Sequence, residues 1–253
     1  MRLTSTRRLL LAFAAAPLAL SLAACGGDKT AAPAKGDPLA KIAAPAGQKW
    51  EELVSDGTDG GMVLGNPQAP IKLVEYGSLS CPHCARFAQE GMQPLMTDYI
   101  ATGRVSYEYR SFAIHPQDIP LTLLVRCAPK QAFFAMVEQV YTNFDAMNAP
   151  LGDPAVQQKA EEASKNPPAT RFMAISQALG FTDFFAARGI AAPQANACLA
   201  NLDNAKQIAD YAKKYGADGI NSTPTILING RTMPADDSTW AKVSEALRLA
   251  GAR

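Results

Sequence analysis

The chain has 253 residues, 48% hydrophobic, 19% charged and 8% aromatic, with a formal net charge of +1. That balance excludes full disorder and a fibrous repeat, and the near-neutral charge leaves no basic footprint for a nucleic-acid binder. Five cysteines and two histidines restrict the metal and redox chemistry open to it.

The N-terminus reads as an export signal. Arg2, Arg7 and Arg8 form a positive start without acids, an apolar run follows from Leu9 to Leu20, and Leu22-Ala23-Ala24-Cys25 closes it with small residues. The ending resembles a bacterial lipobox, so residues 1–24 are expected to be removed and Cys25 to carry the lipid. The alternative is an ordinary signal peptide with Cys25 in a loose tail. No other stretch approaches the ~20 apolar residues of a membrane span. Residues 25–49 are Gly, Ala, Pro, Lys and Asp with few large apolar side chains, and they read as a flexible tether. Export sets an oxidising compartment in which disulfides persist, and four cysteines remain once Cys25 is set aside.

Ile71–Tyr76, between Pro70 and Gly77, reads as a buried strand. Cys81-Pro82-His83-Cys84 follows, then a helix from Ala85 to about Ile100, stopped by Gly103. Arg104–Arg110 alternates and forms a second strand, which implies a parallel pair with a crossover. His115-Pro116 reads as a turn at its end. From about residue 117 to 216 the texture is helical: Phe133, Val137, Val140 and Phe144 recur at helical spacing, as do Phe172, Ile175 and Leu179, and then Ile208, Tyr211 and Tyr215. Met92, Met96, Met136 and Met173 read as core filler. β texture returns at Thr223–Met233, a strand, an Asn229-Gly230 turn and a short second strand. Ser238 is the expected cap of a last helix, Thr239 to Leu249. The order is βαβ, a helical block, then ββα.

A Cys-x-x-Cys pair that leaves a strand and opens a helix puts its first sulfur among unpaired backbone N–H groups, where a thiolate is stabilised. The second cysteine lies one turn on, within bonding reach. The pair is suited to thiol–disulfide exchange. Pro82 fits the first helical turn, where its missing N–H costs nothing. His83 can donate a hydrogen bond or place positive charge near Cys81. Structural zinc needs more ligands than His115 can add, and haem attachment needs a histidine where Ala85 stands. A plain structural disulfide is the remaining rival.

The Cys-Pro-His-Cys centre, Thr223-Pro224-Thr225 before a late strand and the helical block between them resemble the DsbA-like branch of the thioredoxin superfamily. The resemblance covers about residues 50–250. It implies an α/β thioredoxin fold with an inserted all-helical domain: residues 50–116 and 217–253 as the thioredoxin-like part, 117–216 as the insertion. It implies a protein thiol:disulfide oxidoreductase in which Cys81 exchanges, Cys84 resolves, His83 tunes and the buried Glu75 passes protons. Thr223-Pro224 would be a cis-proline pair that docks substrate beside Pro82. Oxidases of this type often carry valine at the Thr223 position, so the redox direction stays open between oxidase and reductase or isomerase. A non-catalytic binding module with an inert disulfide is a third reading. Some members carry a second bridge, and a Cys127–Cys198 disulfide is expected here rather than two separate buried thiols. No cofactor or metal is implied. The implied partners are unfolded or reduced exported proteins and a membrane re-oxidising or reducing partner, with the protein held in the periplasm or cell envelope by its lipid.

Overall fold

The computed structural model describes residues 36–253. The expected signal segment 1–24 and the expected lipid-bearing Cys25 lie outside the described residues. The later part of the expected tether is not free. Gly36 N–H donates to Leu249 O (2.6 Å), Leu39 N–H to Gly251 O (3.0 Å) and Ile42 N–H to Thr102 O (2.9 Å). The Trp50 indole donates back to Ile42 O at 2.8 Å. Composition misreads this stretch because backbone groups and one indole hold it, with little large apolar burial.

Six strands form one mixed sheet: β1 (Val54–Asp56), β2 (Met62–Gly65), β3 (Ile71–Gly77), β4 (Val105–Ser111), β5 (Thr225–Ile228) and β6 (Arg231–Thr232). Their order across the sheet is β1-β2-β4-β3-β5-β6. β3 and β4 are parallel and the other pairs antiparallel. β3 is central and almost wholly buried, which explains its run of apolar residues on both faces. The β1–β2 hairpin has no counterpart in the sequence reading. Its strands are three and four residues long, too short for alternation to register, and the intervening Asp59 and Gly60 take positive φ. Asn229 and Gly230 both have positive φ in the β5–β6 turn, as Asn-Gly predicts.

α1 (Pro82–Pro94) crosses from β3 to β4. The expected helix to Ile100 is divided, because Pro94 has no N–H for the regular ladder and the chain widens into a π-turn over Leu95–Tyr99. Between β4 and β5 lie α2 (Asp118–Val125), α3 (Phe133–Thr142), α4 (Phe144–Asn148), α5 (Pro154–Ser164), α6 (Pro168–Ala178), α7 (Phe181–Ala186), α8 (Ala192–Leu199) and α9 (Leu202–Ala217). α10 (Trp240–Leu249) covers α1, with the Trp240 ring 6.2 Å from Phe87 and Gly91 leaving it room. Ser238 does not cap α10. Thr239 is the capping residue, with no side-chain cap bond, and the Ser238 hydroxyl turns back to Pro234 O.

A disulfide joins Cys127, just after α2, to Cys198 in α8, 71 residues apart. Closing a loop of that length stabilises the fold by up to about 4 kcal/mol in the chain-entropy account. Cys127→Ala/Cys198→Ala is therefore expected to lower the urea midpoint without lowering disulfide exchange at Cys81, and an unchanged midpoint would contradict the expectation.

Candidate active site

The topology collects three segments at one end of the sheet. β3 ends at Gly77 and delivers the Ser78–Cys81 loop. β4, parallel to it, ends alongside, with Gly77 opposite Ser111. β5, antiparallel, begins there, with Tyr76 opposite Thr225. Residues more than 140 positions apart thereby meet around one sulfur.

Cys81 has extended backbone angles and is the residue before α1, with Pro82 in the first turn. Its own carbonyl accepts the first helical bond, from Ala85 N–H at 3.1 Å. The free N–H groups of the first turn are left for the sulfur. Cys81 and Cys84 are both free thiols, and Cys81 is 5% exposed. The Cys81 pKa is lowered to about 5. The largest cause is hydrogen bonding from the Cys84 thiol, opposed by burial and assisted by Thr223 and by the backbone N–H groups of Cys84 and His83. Cys84 moves the other way. It is completely buried, and burial together with its bond to Cys81 raises its pKa well above the usual thiol range. The two sulfurs of one motif are thus split, the almost wholly buried Cys81 favouring the anion and the completely buried Cys84 favouring the protonated thiol.

Glu75 lies below them on β3, 1% exposed. Burial pushes its pKa up to about 7, against a hydrogen bond donated by the Tyr107 hydroxyl to Oε2 at 2.5 Å. Its Oε1 has no hydrogen-bond partner among the described residues. Glu75 and Cys84 each act on the other's ionisation. A carboxylic acid poised near neutrality beside a thiol that must lose or gain a proton fits a relay.

Thr223–Pro224 is a cis peptide. The Cys81 thiol donates to Thr223 O at 3.3 Å. The Thr223 hydroxyl is buried without another partner and helps hold the thiolate down. A groove of about 290 Å³ runs past this point, lined by His83, Arg86, Phe87, Thr223, Pro224 and Asp236 among others. Pro82 and the His83 imidazole are exposed beside it. His83 bears on the Cys81 sulfur through its backbone N–H.

Asp118 and His115 belong to this end of the sheet, although the sequence marks His115 only as a turn and Asp118 not at all. The Asp118 carboxylate, 1% exposed, accepts from Ser78 Oγ (3.0 and 2.9 Å), Ser80 N–H (3.1 Å), Ile114 N–H (3.0 Å) and His115 N–H (2.9 Å). It ties the loop before Cys81 to the loop after β4. His115 Nδ1 meets Ser80 Oγ at 2.9 Å and Asp118 Oδ2 at 3.6 Å. Both partners sit on one ring nitrogen, so this is no relay of the Ser–His–Asp kind. Beneath it the Tyr109 and Tyr141 hydroxyls are 2.8 Å apart, and Tyr141 donates to Ser78 O at 3.0 Å. Tyr107 and Tyr109 had a usable signal, since strand alternation places both on the face of Val105. Asp118 had none, because the partners that link it to the loop before Cys81, Ser78 and Ser80, come from 40 and 38 residues upstream.

Residues 57–248 match the family model described as thioredoxin. A crystal structure of a protein-disulfide isomerase from Novosphingobium aromaticivorans is 31% identical, with a TM-score of 0.69, covering 76% of this chain and 98% of that one. BdbD from Bacillus subtilis, at 17% identity, covers 74% of this chain and 91% of that chain with a TM-score of 0.53, a likeness of fold. A curated relative from Rickettsia conorii, described as a protein-disulfide oxidoreductase, is 31% identical over 107 residues, 40% of this chain and 39% of that one. The chain thus spans about two fifths of that relative's length.

Proposed function

The chain belongs to the thioredoxin family, and from that premise we propose that it is a DsbA-like protein thiol:disulfide oxidoreductase whose exchange centre is Cys81-Pro82-His83-Cys84. The observation that carries the reading is the placement of Cys81 at the start of α1, its Sγ 3.3 Å from Thr223 O of the cis-proline pair and the completely buried Cys84 one turn on, a setting that lowers the pKa of the first sulfur and raises that of the second.

In the oxidase direction the centre starts as a Cys81–Cys84 disulfide. A client thiolate attacks Cys81 Sγ, and the S–S bond breaks with its electron pair going to Cys84. That sulfur is a poor anion in its buried site, and protonated Glu75 supplies its proton. A second client thiolate then attacks the client sulfur of the mixed disulfide. Cys81 leaves as the stabilised thiolate, and the client gains a disulfide. Two electrons pass from client to centre. Stabilising the leaving thiolate favours the reduced centre, so the disulfide is made more oxidising. Thr223-Pro224 line the groove in which the client backbone docks, with the exposed Pro82 next in sequence to its His83 wall, and His83 tunes the sulfur.

The protein's setting is part of the same proposal. Residues 50–116 and 217–253 carry the centre, and 117–216 form the helical insertion. Export through residues 1–24 and lipidation of Cys25 would hold it in the bacterial envelope. Its clients are unfolded or reduced exported proteins, and a membrane partner returns the centre to the disulfide form. No bound cofactor enters the electron balance.

Oxidative refolding of a reduced model protein tests the activity: the Cys81–Cys84 disulfide form should restore native disulfides, and no acceleration over buffer would refute it. Two observations favour a second reading, isomerase or reductase: Thr223 before the cis-proline, and the isomerase name of the 31% identical Novosphingobium protein. Equilibration with glutathione separates the two, a potential near that of thioredoxin (about −270 mV) marking a reductase. Thr223→Val should raise the midpoint of Cys81 ionisation, because it removes a hydroxyl facing the anion, and alkylation against pH reads this directly. An unmoved midpoint would remove Thr223 from the tuning set.

A further inference from the structure

Arg126 stands apart among the inward-facing arginines. Arg104 donates to Thr102 Oγ1, Leu39 O and Arg253 O. Arg110 pairs with Glu108 at 2.9 Å and donates to the Tyr76 hydroxyl at 2.6 Å. Arg126, at the end of α2, has one hydrogen bond among the described residues, from Nη2 to Gly60 O. Its guanidinium lies 5.8 Å over the Phe133 ring, and its Nε is buried with no partner among the described residues. Among the described residues no carboxylate oxygen lies within 4.0 Å of it. Burial pushes its pKa down. A guanidinium with five donors, taken partly out of water and given one carbonyl, is short of acceptors.

Beside it is a cavity of about 210 Å³. Its polar lining is Arg126, Lys130, Asn204 and Gln207, and Phe133 and Ile208 are among its apolar walls. No carboxylate lines it; the nearby Asp56 is engaged by Lys130. Asn204 and Gln207 lie in the first two turns of α9, a 16-residue helix whose positive end faces this region, with the acidic Asp203 of its first turn offsetting part of that potential. The cavity shares no residue with the groove beside Cys81.

We propose that this cavity is a binding site for a small oxyanion, a carboxylate or phosphate group on a compact body, held by the Arg126 guanidinium and the side-chain amides of Asn204 and Gln207. The apolar walls give room for the body, and the cation has donors to spare for the head. Arg126 precedes Cys127, so the Cys127–Cys198 bridge fixes the backbone from which it reaches.

Ligand that binds only the folded state raises the unfolding temperature. The full chain is titrated separately with inorganic phosphate and with benzoate, against sodium chloride at matched ionic strength. The expected result is a saturable rise with at least one oxyanion, roughly 5–10 °C at a hundredfold excess over Kd. A rise with phosphate alone or benzoate alone supports the site and names the head group. Arg126→Gln should abolish the rise. Gln207→Glu, a change at an exposed helix position, places a carboxylate in the cavity. It should raise the melting temperature without ligand and remove the ligand-dependent part. A rise equalled by sodium chloride, no rise at all, or a rise retained in Gln207→Glu overturns the proposal.

Discussion

Alkylation of the reduced protein should follow a single ionisation near pH 5, the value to which Cys81 is lowered. Its rate should be flat above about pH 7, where thiolate exceeds thiol by roughly 100 to 1, whereas an ordinary thiol is still mostly protonated there. The cause sets the controls. Because the largest stabilising contribution is the Cys84 thiol, Cys84→Ala should move the midpoint upward. Given a disulfide-bonded client, the same variant should hold it as a Cys81–client mixed disulfide, since Cys81 attacks one client sulfur and expels the other while no Cys84 thiol remains to displace the first. Cys81→Ser should lower client oxidation by at least about 1,000-fold, as loss of the attacked group does in other nucleophile-dependent enzymes. A midpoint near the ordinary thiol value in the wild type, or persistent exchange in Cys81→Ser, would refute the mechanism.

Glu75→Gln should make the protein slower and, above pH 7, more stable. The folded pKa of about 7 exceeds the ordinary value of 4.5, so folded Glu75 keeps a proton that the unfolded chain releases between those values. Stability therefore falls as pH rises through that window and is lowest above pH 7. A shift of this size corresponds to about 3 kcal/mol. Glutamine has no charge to bury and can still accept the Tyr107 hydroxyl, so it recovers part of that amount. The gain should vanish below about pH 4.5, and urea midpoints from pH 4 to 8 measure it. Client oxidation should slow on the order of 100-fold, the usual scale of positioned proton transfer. Its pH profile should lose the group near 7. A variant no more stable at pH 8 than the wild type, or one with an unaltered profile, would leave Glu75 without the role assigned to it.

These two residues differ in how openly the sequence declares them. Cys81 declares itself by neighbours: a strand before, a proline and a partner cysteine after, and a helix beyond. Such local signals suffice because a helix start supplies N–H groups wherever it occurs. Glu75 is visible as an acid in an apolar run, but its value near 7 depends on complete burial and on Tyr107, which β4 brings from 32 residues away. The Asn-Gly turn was legible because positive φ is a property of the residues themselves. The β1–β2 hairpin was not, since its strands are short and β2 is held in the sheet by pairing with the distant β4.

The docked segment from Gly36 shows the same boundary from the other side. Its poor apolar content predicts freedom, yet its amides find Leu249 O and Gly251 O at the far end of the chain. Composition cannot register a partner that is presented only after α10 has packed. Asp118 is a further case, an acid unremarkable in sequence that becomes the anchor of the loop before Cys81.

The sequence by itself determined the candidate exchange pair, the βαβ, helical block, ββα order and the residues free to adopt the tight turn, because each rests on chain neighbours. Only the tertiary structure decided how far the two sulfurs part in ionisation, how high the buried acid titrates, where Asp118 and His115 sit and why Arg126 lacks an anion. Those properties are set by burial and by charges from distant segments, and electrostatic energy depends on distance in space and on the surrounding medium.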